Sequence, residues 1–299
     1  ARPRPPPGAT GAGRRPGSPA MTDFILRAEG VTKDYVAARG LLGRPTRVVH
    51  AVKGVSLAMA AGTTLALVGE SGSGKSTLGR CIAGLLRPSA GRIHLAGHDV
   101  GQLAGPALRA FRRQVQTIFQ DPYSSLNPRR TAGDAIMDGM VIHRLHTPDE
   151  RRARMLALLQ RVGLRPEHAQ RFPHQFSGGQ RQRIAIARAL ALEPRFIIAD
   201  EAVSALDVSV KAQVLDLLAD LQAEHGLTYL FISHDLGVVR HFADRVAIMA
   251  AGELVEEGEC DRIFEAPAHD YTRRLIAAVP RPDPTRRRLR PPAGQGRPA

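Results

Sequence analysis

Long apolar runs are missing from the chain. No uncharged apolar stretch reaches the roughly 18–20 residues that a membrane-spanning helix needs. The longest candidate, Gly54 to Gly69, is 16 residues and is interrupted by Gly62, Thr63 and Thr64. The chain is therefore not expected to cross a bilayer by itself. Cysteine is nearly absent: Cys81 and Cys260 are too few for a disulfide scaffold or a metal cluster, so a reducing, cytosolic setting is expected. No apolar stretch follows Arg2, Arg4, Arg14 and Arg15, so the start does not read as a secretory signal. Lysine is scarce as well, with Lys33, Lys53, Lys75 and Lys211 among 42 basic residues. Together with abundant Ala, Gly and Pro, that bias reads as GC-rich coding rather than as a function.

What remains is the composition of an ordinary globular protein of 299 residues, 43% apolar and 23% charged. Net charge is +14, and much of it sits at the ends. Residues 1–20 hold four arginines and no acid; residues 281–299 hold six arginines against Asp283. Neither end has an aromatic residue to stack on a base, so no nucleic-acid partner is expected. Both ends read as disordered extensions, residues 1–20 lying ahead of the first globular-looking segment at Met21. Attraction to anionic lipid is compatible with the same charge.

Between the ends the pattern is that of an α/β protein. Phe24 to Gly62 is β-rich, with Val48–Val52 and Val55–Met59 read as two strands broken at Gly54. Thr64 to Val68 is a short apolar run bounded by glycines, and Lys75 to Leu86 favours helix. A strand–loop–helix unit of this kind begins a parallel sheet. Residues 131–176 show helical spacing without strand pattern, so an inserted helical subdomain is expected there. Strands return at Phe196–Ala199 and Thr228–Ile232, with helices at Gln180–Leu192 and Val210–Glu224 between and before them. Val246–Met249 and Leu254–Val255 read as a terminal hairpin about Gly252.

The stretch Gly69-Glu70-Ser71-Gly72-Ser73-Gly74-Lys75-Ser76-Thr77 fits G-x-x-x-x-G-K-S/T in the strand-to-helix setting that the motif requires. Glycines let the backbone wrap phosphate with its N–H groups inward, and the helix N-terminus adds positive potential. Lys75 is expected on the β- and γ-phosphates and the Ser76 hydroxyl on Mg²⁺. Glu70 is expected to point away, because a carboxylate beside triphosphate repels it. The run Phe196–Ala199 ends in Asp200 and Glu201, whose side chains alternate across the strand. Asp200 is expected to serve Mg²⁺ through its water shell and Glu201 to act as general base on the attacking water.

His234 follows the strand Tyr229–Ser233 and should lie at the rim where parallel sheets bind ligands, within reach of the γ-phosphate. Gln120 closes the run Val115–Phe119 in the same way and offers a neutral ligand to metal or water. A second glycine-rich helix start is present at Phe176-Ser177-Gly178-Gly179-Gln180. One nucleotide does not need two such cradles from one chain, so the second is expected to serve the site of a facing chain. The bland alternative is a helix cap alone.

In this order the motifs resemble the ATP-binding subunit of ATP-binding cassette (ABC) transporters: Walker A, Q-loop Gln120, signature Phe176–Gln180, Walker B Asp200 with Glu201, D-loop Ser204–Asp207 and switch His234. The resemblance covers about Phe24 to Pro284. It implies a P-loop ABC-type ATPase core with an antiparallel β subdomain and an inserted helical subdomain. Its implied limits are 21–280 for the ATPase domain, 121–176 for the helical subdomain and 251–280 for a C-terminal extension. It further implies that Tyr35 stacks on adenine and that Asp207 joins the nucleotide site.

Within that family the segments Gln120–Arg129, Ser204–Ser209 and Tyr271–Leu275 are similar to the oligopeptide/dipeptide/nickel import branch. That branch implies ATP and Mg²⁺, membrane permease subunits, a second ATPase subunit and, indirectly, an extracytoplasmic solute-binding protein. The implied place is the cytoplasmic face of the membrane. Non-transport ABC ATPases stay as the rival class, including a component of phosphonate-degrading machinery or a nucleic-acid-associated ABC protein. Three departures stand out: Ala202 and Asp270 replace prolines usual in the family, and no cysteine-rich segment follows the extension. The first two are expected to loosen the chain locally and the third to leave no iron–sulfur cluster.

Overall fold

The computed structural model describes residues 24–39, 45–120 and 126–278. The basic ends, Asp121–Ser125 and Val279–Pro280 lie outside the described residues. Two sheets form the frame. The first is antiparallel, in the order β2 (Pro45–Ala60), β1 (Phe24–Arg39), β4 (Ala90–Leu95), β5 (His98–Asp99). The second runs β10 (Glu253–Glu259), β9 (Arg245–Ala250), β3 (Thr64–Val68), β8 (Thr228–Ser233), β7 (Phe196–Asp200), β6 (Val115–Ile118). All its neighbours pair parallel except β10 with β9.

Strand alternation sorts the core into two layers. Leu65 and Leu67 of β3, Phe196 and Ile198 of β7, and Leu230 and Ile232 of β8 join the antiparallel sheet and helix α1 (Lys75–Ile82) in one cluster. The residues between them, among them Ala66, Ile197 and Phe231, join the helices beyond residue 131 in the other. Both faces of β3, β7 and β8 are thus buried, which is why these strands read as unbroken apolar runs. Cys81 is buried in the first layer, where burial pushes its thiol up to about 11; it serves as packing.

The region from Leu126 to Ser177 carries α3 (Ala132–Ile142) and α4 (Pro148–Arg161), short 3₁₀ turns and no strand among its described residues. Each of these helices opens on a capping box, Thr131 with Asp134 and Thr147 with Glu150, so local sequence fixes its start. Helices α5 (Gly178–Leu190), α6 (Val208–His225) and α7 (Leu236–Phe242) follow.

Three readings of the sequence change. The predicted break at Gly54 is a bulge inside the continuous strand β2: the register shifts between Val31–Val55 and Lys33–Val52, and the Gly54 N–H donates to Thr32 Oγ1 (3.1 Å). The hairpin of β9 and β10 is not terminal, since α8 (Cys260–Glu265) and α9 (Asp270–Ala277) come after it. Residues 87–114 also hold elements that the sequence did not announce: β4, β5 and α2 (Gly105–Gln114), whose Phe111 is fully buried.

Phe231 ties the two sides of the second layer together. It is fully buried on β8 and its ring centroid lies 5.1 Å from that of Phe242 on α7. Phe231→Ala is expected to remove about 3–5 kcal/mol of unfolding free energy, read as a lower urea midpoint with an unchanged slope.

Candidate functional site

The parallel strands β3, β6, β7 and β8 end nearly in register, Val68 beside Ser233, Asp200 beside Ile232 and Ile118 beside Ala199. Their following residues therefore meet at one rim. The loop after β3 passes between two other strands. A Cβ on Gly69 would lie 2.1 Å from the Met249 carbonyl oxygen, and one on Gly74 would lie 2.2 Å from that of Ala51. Gly74 also adopts φ 100° at the cap of α1, where no side chain occupies the first N–H groups.

Lys75 is 4% exposed. Its Nζ donates to the carbonyl oxygens of Gly69 and Glu70, each at 2.7 Å, and to Ser73 Oγ at 3.2 Å. Burial pushes the ammonium below its ordinary value, and the carboxylates of Glu201, Asp200 and Glu70 oppose that push. The Ser76 hydroxyl donates to Asp200 Oδ1 (2.8 Å), and burial raises the Asp200 carboxyl despite this bond. Glu70 is exposed, yet it lines the cleft described below and its carboxylate acts on Lys75.

Glu201 takes a left-handed backbone, φ 50°. That conformation costs a residue with a Cβ about 1–2 kcal/mol. Its N–H donates to the Ile232 carbonyl (2.9 Å), and its own carbonyl accepts the Ser204 N–H and hydroxyl (3.0 and 2.9 Å), which hold it there. The carboxylate Oε1 stands 3.3 Å from His234 Nδ1. His234 sits in a turn fixed on both sides. Ser233 Oγ accepts the Asp235 N–H (3.0 Å), and Asp235 accepts the N–H groups of Gly237 and Val238 and the ammonium of Lys211 (2.8 Å). The sequence reading had not marked Asp235 or Lys211; their signal was an Asp at a helix start.

A cleft of about 600 Å³ gathers loop residues 69–72 and 74–77 with Gln120, Glu201 and His234. Ala51 and Leu275 also line it, and neither was foreseen. Gln120 stands two residues beyond the end of β6. The sequence candidates Tyr35, Ser177–Gln180 and Asp207 do not line this cleft, and Ser73 and Asp200 are buried behind it. Tyr35 is on β1 with Lys33 Nζ 5.4 Å from its ring centroid. Ser177 is exposed and forms a capping box with Gln180 at the start of α5. Gly179 behind it is crowded by α6, where a Cβ would meet Val210 Cγ1 at 2.4 Å. Asp207 is exposed at the N-cap of α6 with no side-chain cap bond. One chain thus brings a single glycine-rich cradle to the cleft and leaves the other on its surface.

Residues 52–204 match the family described as ABC transporter. The chain belongs to that family. Residues 255–299 of this cassette match the oligopeptide/dipeptide transporter C-terminal region. It is 54% identical over 266 residues to the glutathione import ATP-binding protein GsiA of Salmonella paratyphi A, covering 89% of this chain. To the protein of the same name from Pectobacterium atrosepticum it is 52% identical, covering 90%. The chain spans 43% of the length of each of these relatives. Among solved structures, the ATP-binding cassette MJ0796, dimeric in a post-hydrolysis state with ADP and Pi, is 32% identical with TM-score 0.70, covering 79% of this chain and 99% of that one. The protein cbiO1 of Clostridium perfringens, part of the ABC transporter complex cbiONQ, is 29% identical with TM-score 0.69, covering 82% and 92%.

The two loop glycines make a direct test. Gly72, φ 80°, has open space where a Cβ would go, whereas Gly74 faces the Ala51 carbonyl at 2.2 Å. Gly72→Ala should cost only the left-handed backbone, about 1–2 kcal/mol. Gly74→Ala should displace the loop as well, lowering Mg–ATP affinity in calorimetry at least tenfold more than Gly72→Ala. Equal affinities in the two variants would contradict the packing described.

Proposed function

We propose that this chain is the ATP-binding and ATP-hydrolysing subunit of an ABC importer for a peptide-like solute. The observation that carries the reading is the convergence of Lys75, Ser76 and the Glu201–His234 pair in one cleft, with Asp200 bonded to the Ser76 hydroxyl behind its wall. Relatives named for glutathione import support transport over a non-transport role. The domain so read spans 21–280, with a helical subdomain at 121–176 and a C-terminal extension at 251–280.

The donors at the rim suit Mg²⁺: a hydroxyl, a carboxylate and an amide oxygen from Ser76, Asp200 and Gln120 are the hard oxygens this ion prefers. When bound there, Mg²⁺ supplies charge neutralisation on the phosphates. Lys75 binds the β- and γ-phosphates, exchanging the loop carbonyls for phosphate oxygens, and the free N–H groups of loop and helix start bind the rest. Glu201 takes a proton from the attacking water at its carboxylate. His234 holds that carboxylate at Nδ1 and meets the γ-phosphate, while the strained backbone of Glu201 keeps its side chain from turning away. Tyr35 stacks on adenine.

The second cradle completes the site from a partner. In this reading Ser177, Gly178, Gly179, Gln180 and Asp207 of a second ATPase subunit close on the nucleotide held by Lys75. The helical subdomain contacts membrane permease subunits at the cytoplasmic face, and a solute-binding protein acts indirectly through them.

Two variants separate binding from chemistry. Lys75→Ala should retain the fold and lose most Mg–ATP affinity. Glu201→Gln should bind as wild type and hydrolyse roughly 10²–10⁴-fold more slowly, the usual cost of losing a general base. Unchanged hydrolysis in Glu201→Gln would exclude Glu201 from that role.

A further inference from the structure

The end of the described chain reaches back to the phosphate loop. Helix α9 is tied down at its start. Glu256 of β10 accepts the N–H groups of Ala268 (2.7 Å) and His269 (3.0 Å). His269 Nδ1 accepts the Tyr271 N–H (3.1 Å), and Asp270 pairs with Arg273. Thr272 is fully buried. Anchored this way, α9 carries Tyr271 and Leu275 one helical turn apart, on the same face.

Leu275 reaches the cleft, and Tyr271 reaches the backbone of the loop that lines it. The Tyr271 hydroxyl accepts the N–H of Glu70 at 3.1 Å, and Leu275 lines the cavity. The carbonyl of the same Glu70 accepts Lys75 Nζ at 2.7 Å. One loop residue is therefore bonded on its N–H side to the C-terminal helix and on its carbonyl side to the phosphate-binding cation. The tether adds to the packing of Gly69 and Gly74 against β9 and β2, and it restrains the loop beside Gly72, where there is open space and freedom to lose on binding.

We propose that Tyr271 is a positioning residue for the nucleotide: its hydroxyl fixes Glu70 so that Lys75 and the loop N–H groups converge on phosphate, and nucleotide binding is thereby coupled to the docking of α9. The inference rests on the cleft being the ATP site. Coupling of this kind is reciprocal, so whatever the hydroxyl adds to ATP affinity, ATP adds to the docking of α9.

The test compares the full chain with Tyr271→Phe, which removes one oxygen and keeps the ring. Calorimetry with Mg–ATP should give affinity about three- to tenfold weaker, the range expected of one neutral hydrogen bond. The melting temperature without nucleotide should fall by no more than about 2 °C, since a single exposed bond is removed. Hydrogen exchange in α9 should slow on adding Mg–ATP to wild type and respond less in the variant. Equal or tighter ATP binding by Tyr271→Phe overturns the inference and leaves the ATP site standing. So does an affinity loss matched by a fall of several degrees in nucleotide-free melting temperature, which marks a purely structural role. Exchange in α9 that ignores nucleotide in wild type overturns the coupling. A wild-type chain that does not bind Mg–ATP overturns instead the reading beneath it.

Discussion

Parallel strands buried on both faces have only their ends to offer to solvent, and in this chain that constraint organises everything else. β3, β7 and β8 spend every apolar side chain on one of two layers. Polar chemistry is thereby pushed to the residues at or just past each strand end: the loop from Gly69, the Asp200–Glu201 pair, and His234. Because the pairings hold Val68, Asp200 and Ser233 within a residue of one level, those groups converge without long connections. The glycines at 69 and 74 then let the loop run against the backbones of β9 and β2, so the site rests on main chain rather than on adaptable side chains.

This explains what the sequence made legible. The loop, the paired acids and the strand-end histidine each lie within a few residues of an apolar run, and local pattern is enough to find them. Gly54 misled because a glycine with positive φ ends some strands and bulges others, and only the partner strand β1 decides which. β4 and α2 were missed because exposed residues outnumber buried ones in them: Ile93 and Leu95 alone face the core from β4, and Phe111 from α2. The contact of Tyr271 with Glu70 joins residues 201 apart in sequence, and no periodicity announces such a pair.

The same reasoning gives the second cradle its meaning. Ser177 already satisfies the start of α5 through its box with Gln180, yet stays exposed and away from the cleft, with Asp207 exposed on the neighbouring helix. A cap needs neither Gly178 nor Gly179, and Gly179 is also demanded by the close approach of Val210. The account joins these features by having each chain finish the other's site. Under the proposed function, hydrolysis then requires two subunits to meet.

The most direct measurement is complementation between two damaged chains. Lys75→Ala lacks the cation and keeps the second cradle; Ser177→Arg keeps the cation and fills the second cradle. Each alone should hydrolyse little ATP. Mixed in equal amounts, they should regain activity, because the mixed dimer has one site with Lys75 from one chain and Ser177 from the other. If Ser177→Arg alone hydrolyses as wild type and the mixture gives only the average of its parts, the site belongs to one chain and the account is wrong.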